Sequence, residues 1–94
     1  MRPGYVYILQ SPNCQRWYIG STIDLEKRVR EHNANRVSAT RKKGPWLPLF
    51  VQEYETLQSA RKIEAWLKRQ KSRLLLQRII REGNIAKQIS RGVA

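Results

Sequence analysis

Tyr5-Val6-Tyr7-Ile8-Leu9-Gln10, then Ser11-Pro12-Asn13, then Arg16-Trp17-Tyr18-Ile19-Gly20: the reading of this stretch decides the fold. Aromatic and β-branched residues dominate both runs, as a pleated, half-buried surface favours. Between them, proline and asparagine supply turn chemistry, so the stretch reads as a β-hairpin. A two- or four-residue loop centred on Pro12-Asn13 sets Tyr7 opposite Tyr18, with both rings on one face. Val6, Ile8 and Ile19 then share the other face, because successive side chains alternate across a strand.

Outward from the hairpin, the period changes from two to about 3.6. Ser21, Thr22 or Asp24 caps a helix that runs to about Asn35, with Leu25 and Val29 as its apolar stripe and Arg28 and His32 bordering it. Arg36 to Pro48 is basic, contains Gly44-Pro45 and lacks periodicity, which predicts an exposed loop. Leu49 to Tyr54 reads as a third strand. Ser59 is the expected cap of a second helix whose inward positions are Ala60, Ile63 and Leu67, flanked by Trp66. Lys71-Ser72-Arg73 interrupts it, and Leu74 to Ile80 forms a third helical run that stops at Gly83-Asn84. The expected organisation is a single domain over residues 1–94, with a core over about 4–82 and a tail over 83–94.

The 94 residues carry 19 Lys and Arg against 7 Asp and Glu, a formal charge of +12. Solubility of a small domain needs a magnitude of only about 2 to 8. The excess points to a polyanionic partner, nucleic acid first. Cys14, the lone cysteine, forms no internal disulfide and is expected in a surface loop. No apolar run has the length of a signal or a membrane span, so the sequence predicts a cytoplasmic protein without membrane contact.

Glu64 is the most telling polar residue. It lies within the stripe of Ala60, Ile63 and Leu67, where an apolar side chain is expected, and it is the one carboxylate among eight basic residues between positions 61 and 81. A carboxylate near a core face needs a cation or donors to replace lost hydration. Mg²⁺ answers that need through a single carboxylate with water and phosphate oxygens; a salt bridge to Arg61 or Lys68 answers it equally. Arg28 offers a planar fork suited to phosphate. His32 either accepts a proton near neutral pH, positions water, or is a satisfied packing residue. Tyr7 and Tyr18 serve either as plain strand residues or as water-orienting, proton-relaying phenols, and positive charge nearby favours the phenolate.

Taken together, Tyr5-Val6-Tyr7, Tyr18-Ile19-Gly20, Leu25, Arg28, His32 and Glu64 with its trailing Leu67-Lys68 resemble the GIY-YIG nuclease family. Within it, the chain is similar to small standalone proteins akin to the nuclease domain of the excision-repair excinuclease. The resemblance covers about Gly4 to Ile80. It implies an α+β fold, a small three-stranded antiparallel sheet flanked by about three helices. It also implies a metal-dependent endonuclease that cleaves DNA with one divalent ion, Mg²⁺ or Mn²⁺, on Glu64. By the same resemblance Tyr18 would be the general base, Tyr7 would orient the nucleophile, Arg28 would hold the scissile phosphate and His32 would support the attacking side. The chain departs from the family pattern at Tyr5, in place of the first glycine, and at Ser21, where repair-type members often carry a lysine that would help activate Tyr18.

Arg41, Lys42 and Lys43, with Arg61, Lys68, Arg69, Lys71 and Arg73, are expected to rim the site and grip phosphates. No second module for reading bases is recognisable, so structured DNA without sequence specificity is the expected substrate. Two other readings use the same surface: a non-catalytic nucleic-acid-binding module that serves a partner nuclease, and an RNA-associated basic protein. A protein partner supplying specificity fits either catalytic or non-catalytic use, and oligomeric state is not readable from the chain.

Overall fold

The computed structural model describes residues 2–13 and 15–86. The surface-loop expectation for Cys14, and positions 87–94 of the expected 83–94 tail, lie outside the described residues; within that tail Ile85 is buried with the apolar core, its amide donating to the Gln52 Oε1 at 2.8 Å. Strands β1 (Gly4–Ser11), β2 (Arg16–Thr22) and β3 (Leu47–Tyr54) form one antiparallel sheet in the order β2-β1-β3. Helices α1 (Leu25–Asn33), α2 (Leu57–Gln70) and α3 (Arg73–Glu82) accompany it, which is the expected α+β architecture.

The central strand β1 is covered on both sides, so Val6, Tyr7, Ile8 and Leu9 are all buried. Val6 and Ile8 pack with Phe50, Ala60, Ile63 and Leu67 on the α2 side of the sheet. Tyr7 and Leu9 pack with Trp46, Tyr18, Leu25 and Val29 on the α1 side. The two-fold alternation of β1 therefore separates a purely apolar layer from the layer that carries the phenols.

The hairpin register differs from the expectation. Tyr7 faces Gly20 and Tyr18 faces Leu9, because the loop runs from Pro12 to Gln15 between the pair Ser11 and Arg16. Ser11 belongs to the strand: it is buried, and its hydroxyl donates to the Lys43 carbonyl. Gln15 takes a left-handed φ of 55°, which centres the turn later than Pro12-Asn13. The slip is an even one, so Tyr7 and Tyr18 still share a face. Their ring centroids lie 6.3 Å apart.

Three further boundaries move. Thr56, rather than Ser59, caps α2, its hydroxyl accepting from the Ser59 amide at 3.1 Å. The third strand starts at Leu47 and includes Pro48, which an edge strand tolerates because an amide there need not bond a neighbour. The segment 36–48 is not a wholly exposed loop: Val37, Thr40 and Trp46 are buried in it, and Ser38–Thr40 forms a 3-10 turn. The α2–α3 break falls where expected, at Lys71 with a left-handed φ of 48°, and Ser72 caps α3. Gly83 ends α3 at φ 72°.

Close approach explains two glycines. A Cβ on Gly4 would lie 2.5 Å from the Leu57 Cα and 2.7 Å from the Thr56 carbonyl oxygen, so β1 can start against α2 only with glycine there. A Cβ on Gly20 would lie 2.5 Å from the Tyr7 Cζ and 3.0 Å from the Tyr18 Cε2. Gly20 is thus the space in which the Tyr7 ring lies.

Candidate active site

The phenol layer meets α1 at His32. This histidine is wholly buried, and both ring nitrogens are engaged: Nε2 lies 3.0 Å from the Tyr7 hydroxyl and Nδ1 lies 2.7 Å from the Thr40 Oγ1. Burial, reinforced by the Arg28 charge, lowers its pKa from 6.5 to about 4. The ring is therefore neutral at neutral pH, where the sequence leaves open proton acceptance, water positioning or satisfied packing. Thr40 donates to the Val37 carbonyl, 3.4 Å away, so it accepts from Nδ1–H and leaves Nε2 to accept from Tyr7. The order of donation runs Tyr7 to His32 to Thr40 to the backbone.

Tyr7 is held as a neutral phenol. Burial pushes its pKa from 10.0 up to about 12, against the opposing influence of Arg28. Tyr18 differs. It is half-buried, its ring packs edge-on to His32 at 4.9 Å and to Trp46 at 6.5 Å, and no hydrogen-bond partner takes its hydroxyl among the described residues. The Lys68 ammonium sits 5.5 Å over the Tyr18 ring.

Arg28 projects from α1 into a cleft that Ser21, Arg61, Lys27 and Arg2 also line. Its guanidinium pairs with Glu31 at 3.0 Å, and that carboxylate raises its pKa further. Glu64 faces the same hairpin from α2. Its Oε1 accepts from the Ser21 hydroxyl, and its Oε2 lies 2.7 Å from the Lys68 ammonium. Ser21, at the position where repair-type members often carry lysine, thus fastens the acid to β2, while the cation comes from Lys68 one helical turn beyond Glu64.

A metal fits Glu64 in one mode only. Among the described residues no cluster of three or more His, Cys, Asp or Glu exists. The Glu64 side chain keeps 20 % exposure, and a cation, the Lys68 ammonium, already rests against it. A single carboxylate completed by water and phosphate oxygens is the coordination Mg²⁺ accepts and Ca²⁺ cages do not use.

The structure gathers Tyr7, Tyr18, Arg28, His32 and Glu64 around the hairpin and α1–α2. Of the expected basic rim, Arg61 lines the Arg28 cleft, and Lys68, Lys71 and Arg73 line a groove beside Tyr18. Lys42 lines a separate hollow with Asn33, Asn35, Gly44 and Pro45. Arg41 and Arg69 are exposed, Lys43 is half-buried, and none of the three lines the Arg28 cleft or the groove beside Tyr18. Thr40 is not legible from the sequence, since the segment that holds it has no periodicity. Trp46, open to base stacking by sequence, is 2 % exposed and donates to the Thr40 carbonyl at 3.2 Å, so it buttresses the site from below. Trp66 is half-buried against the apolar layer, as expected.

A neutral phenol locked onto a neutral imidazole, a second phenol whose hydroxyl has no partner among the described residues, a guanidinium and a hairpin-facing carboxylate thus lie together around β1, β2, α1 and α2. The chain belongs to the GIY-YIG family: the model described as the GIY-YIG catalytic domain matches residues 3–78. Among curated proteins it is 35% identical to the UPF0213 protein CPE1444 of Clostridium perfringens, over 92% of this chain and 97% of that one. It is 32% identical to a UPF0213 protein of Syntrophus aciditrophicus, over 73% of this chain and 80% of that one. Among solved structures, the solution NMR structure of the UPF0213 protein BH0048 of Bacillus halodurans superposes with a TM-score of 0.53 at 26% identity, covering 87% of each chain.

Proposed function

We propose that this protein is a divalent-metal-dependent endonuclease that hydrolyses phosphodiester bonds in structured DNA without sequence specificity. The observation that carries this reading is the inequality of the two phenols. Tyr7 donates its proton to His32 and, with its pKa at about 12, is unsuited to take one from water. Tyr18 shares its face, lies under a cation and keeps its hydroxyl uncommitted among the described residues. A general base must reach the nucleophile's proton with an available lone pair, and only Tyr18 offers one.

Placement supports the following roles for the other residues. Glu64 would hold Mg²⁺ or Mn²⁺, which supplies Lewis-acid stabilisation of the charge that builds on the phosphate. Arg28 binds a non-bridging phosphate oxygen with the donors that Glu31 leaves free and stabilises the same charge. Tyr7, fixed by His32 and Thr40, orients the attacking water. The basic surface supplies affinity: with about six phosphate contacts, log affinity should fall with log salt at a slope near −5.

A binding module without cleavage is the second reading, and one observation favours it: both oxygens of Glu64 are engaged, by Ser21 and Lys68. Incubation of the wild type and Glu64→Gln with supercoiled, branched and single-stranded DNA, with Mg²⁺ or Mn²⁺, separates the two. Metal-dependent nicking that Glu64→Gln abolishes is the expected result. Salt-sensitive binding without nicking, unchanged by the substitution, overturns the nuclease reading.

A further inference from the structure

Beside the reacting centre, sharing Tyr18 and Lys68 with it, lies a second hollow. It is a groove of about 360 Å³ between β2 and the α2–α3 junction. Its floor is apolar, made by Trp17, Ile19, Leu67 and Leu76, and its rim is cationic, made by Lys68, Lys71 and Arg73. The Arg73 guanidinium carbon lies 3.6 Å from the centroid of the Trp17 ring. A guanidinium held through its face keeps its in-plane N–H donors for an anion. Among the described residues no carboxylate pairs with Lys71 or Arg73, whereas Arg28, Arg30 and Lys68 all have one.

Trp17 adds an independent sign. Its indole Nε1–H is buried and has no hydrogen-bond partner among the described residues. An orphan donor of this kind gives up its hydration without a replacement and so destabilises the fold. A tryptophan placed for stability alone would be better as phenylalanine or leucine. Here it serves as the plate on which Arg73 rests.

Floor and rim together select a ligand. A DNA duplex offers phosphates but keeps its base faces stacked inside, so it would use the rim and leave the floor empty. An unpaired nucleotide offers both a phosphate and an aromatic base with an apolar face. We propose that this groove is a subsite for an unpaired nucleotide next to the scissile phosphate, its phosphate on Lys71 and the in-plane donors of Arg73 and its base against the apolar floor beside the Arg73–Trp17 stack. This rests on the proposed function in one respect, that Tyr18, Lys68 and Glu64 mark the reacting centre. Lys68 touches that centre and lines the groove, so the subsite is one side chain away from it.

The test is binding by fluorescence anisotropy in chelator, so that cleavage plays no part. The probes are a blunt duplex, the same duplex with a single-stranded arm, and an armed duplex whose junction nucleotide is abasic. The armed duplex is expected to bind about ten-fold tighter than the blunt one, and the abasic version to lose most of that gain. Arg73→Met and Arg73→Lys, both at an exposed position and checked for native circular dichroism, are expected to remove the preference for the arm. Arg73→Lys is the sharper variant, because it keeps the charge and loses the flat stack on Trp17. Equal binding of armed and blunt duplexes overturns the proposal; so does equal binding of the abasic probe, which would leave only a phosphate clamp. Metal-dependent nicking is scored separately. An arm preference without nicking keeps the subsite and removes the nuclease reading, and nicking without an arm preference does the reverse.

Discussion

His32 is the one histidine of the chain, so its titration can be followed without ambiguity by the NMR signal of its Cε1. Burial, then the Arg28 charge, depresses its pKa from 6.5 to about 4, with Glu31 opposing weakly. Protonation would place a second N–H at Nε2, facing the hydroxyl hydrogen of Tyr7, and would charge a ring that water does not reach. The sign of the stability effect follows. Between the two values the unfolded chain binds the proton and the folded chain does not, so stability falls as pH falls. The contribution is complete above the unfolded value of 6.5 and gone at the folded value of about 4. At 1.36 kcal/mol per pKa unit the interval amounts to about 3 kcal/mol.

Urea unfolding of the wild type and of His32→Gln, from about pH 7 to about pH 4, measures this contribution. Glutamine keeps a donor and an acceptor but does not titrate, and the carboxylates common to both proteins cancel in the difference. The wild type should lose about 3 kcal/mol more than the variant over that range, with the Cε1 midpoint near 4. A midpoint near 6.5, or parallel stability curves for the two proteins, would show that the imidazole is not desolvated. The assignment of Tyr7 as donor into a neutral ring would go with it.

Two glycine substitutions separate architecture from chemistry. Gly20→Ala drives a methyl into the Tyr7 ring, so it should cost about 1–3 kcal/mol of stability and, by displacing the phenol, about a hundred-fold in cleavage rate. Gly4→Ala meets the α2 backbone instead and should cost similar stability while cleavage per folded molecule is unchanged; equal loss of cleavage in both variants would contradict this placement. Lys68→Met frees an oxygen of Glu64, and calorimetric titration with Mn²⁺ in the absence of DNA should show binding up to about five-fold tighter, the range of a partly exposed ion pair. Weaker or unchanged Mn²⁺ binding would mean that Lys68 does not stand in for the metal.

What is legible in the sequence follows the robustness of each signal. Strand alternation survives an even register slip, so Tyr7 and Tyr18 fall on one face although their cross-strand partners differ from the expected ones. Glu64 stands out because a carboxylate interrupts an apolar stripe, and its side chain does turn to the hairpin. His32 and Arg28 are placed by helical spacing alone. The partners that govern these residues are illegible. Thr40 and Trp46 sit in an aperiodic segment whose burial depends on β1 and α1, not on its neighbours in sequence. The sequence reading takes Ser59 as the α2 cap, whereas the Thr56 hydroxyl accepts from the Ser59 amide, a shift of boundary that side-chain type alone does not reveal. Ser21 reads as a missing lysine. Only the packing of α2 on β2 shows the ammonium over Tyr18 arriving from Lys68.

That substitution of one cation source for another has a physical consequence. A lysine in place of Ser21 would sit on a strand, fixed by the sheet. Lys68 instead hangs from a helix with 48 % of its side chain exposed, bound to Glu64 by one contact at 2.7 Å. A single, half-solvated ammonium pair is worth at most about 1 kcal/mol, so it is easily exchanged. Without nucleic acid, Lys68 keeps the half-buried Glu64 neutralised and spares the fold an unpaired charge. In the proposed function, a phosphodiester beside Tyr18 would offer the same ammonium a second anion, while its place 5.5 Å over the Tyr18 ring is already taken up alongside Glu64. The chain thus carries its cation on a half-exposed helix side chain, held by a weak pair, where the family resemblance leads one to expect a strand lysine at position 21.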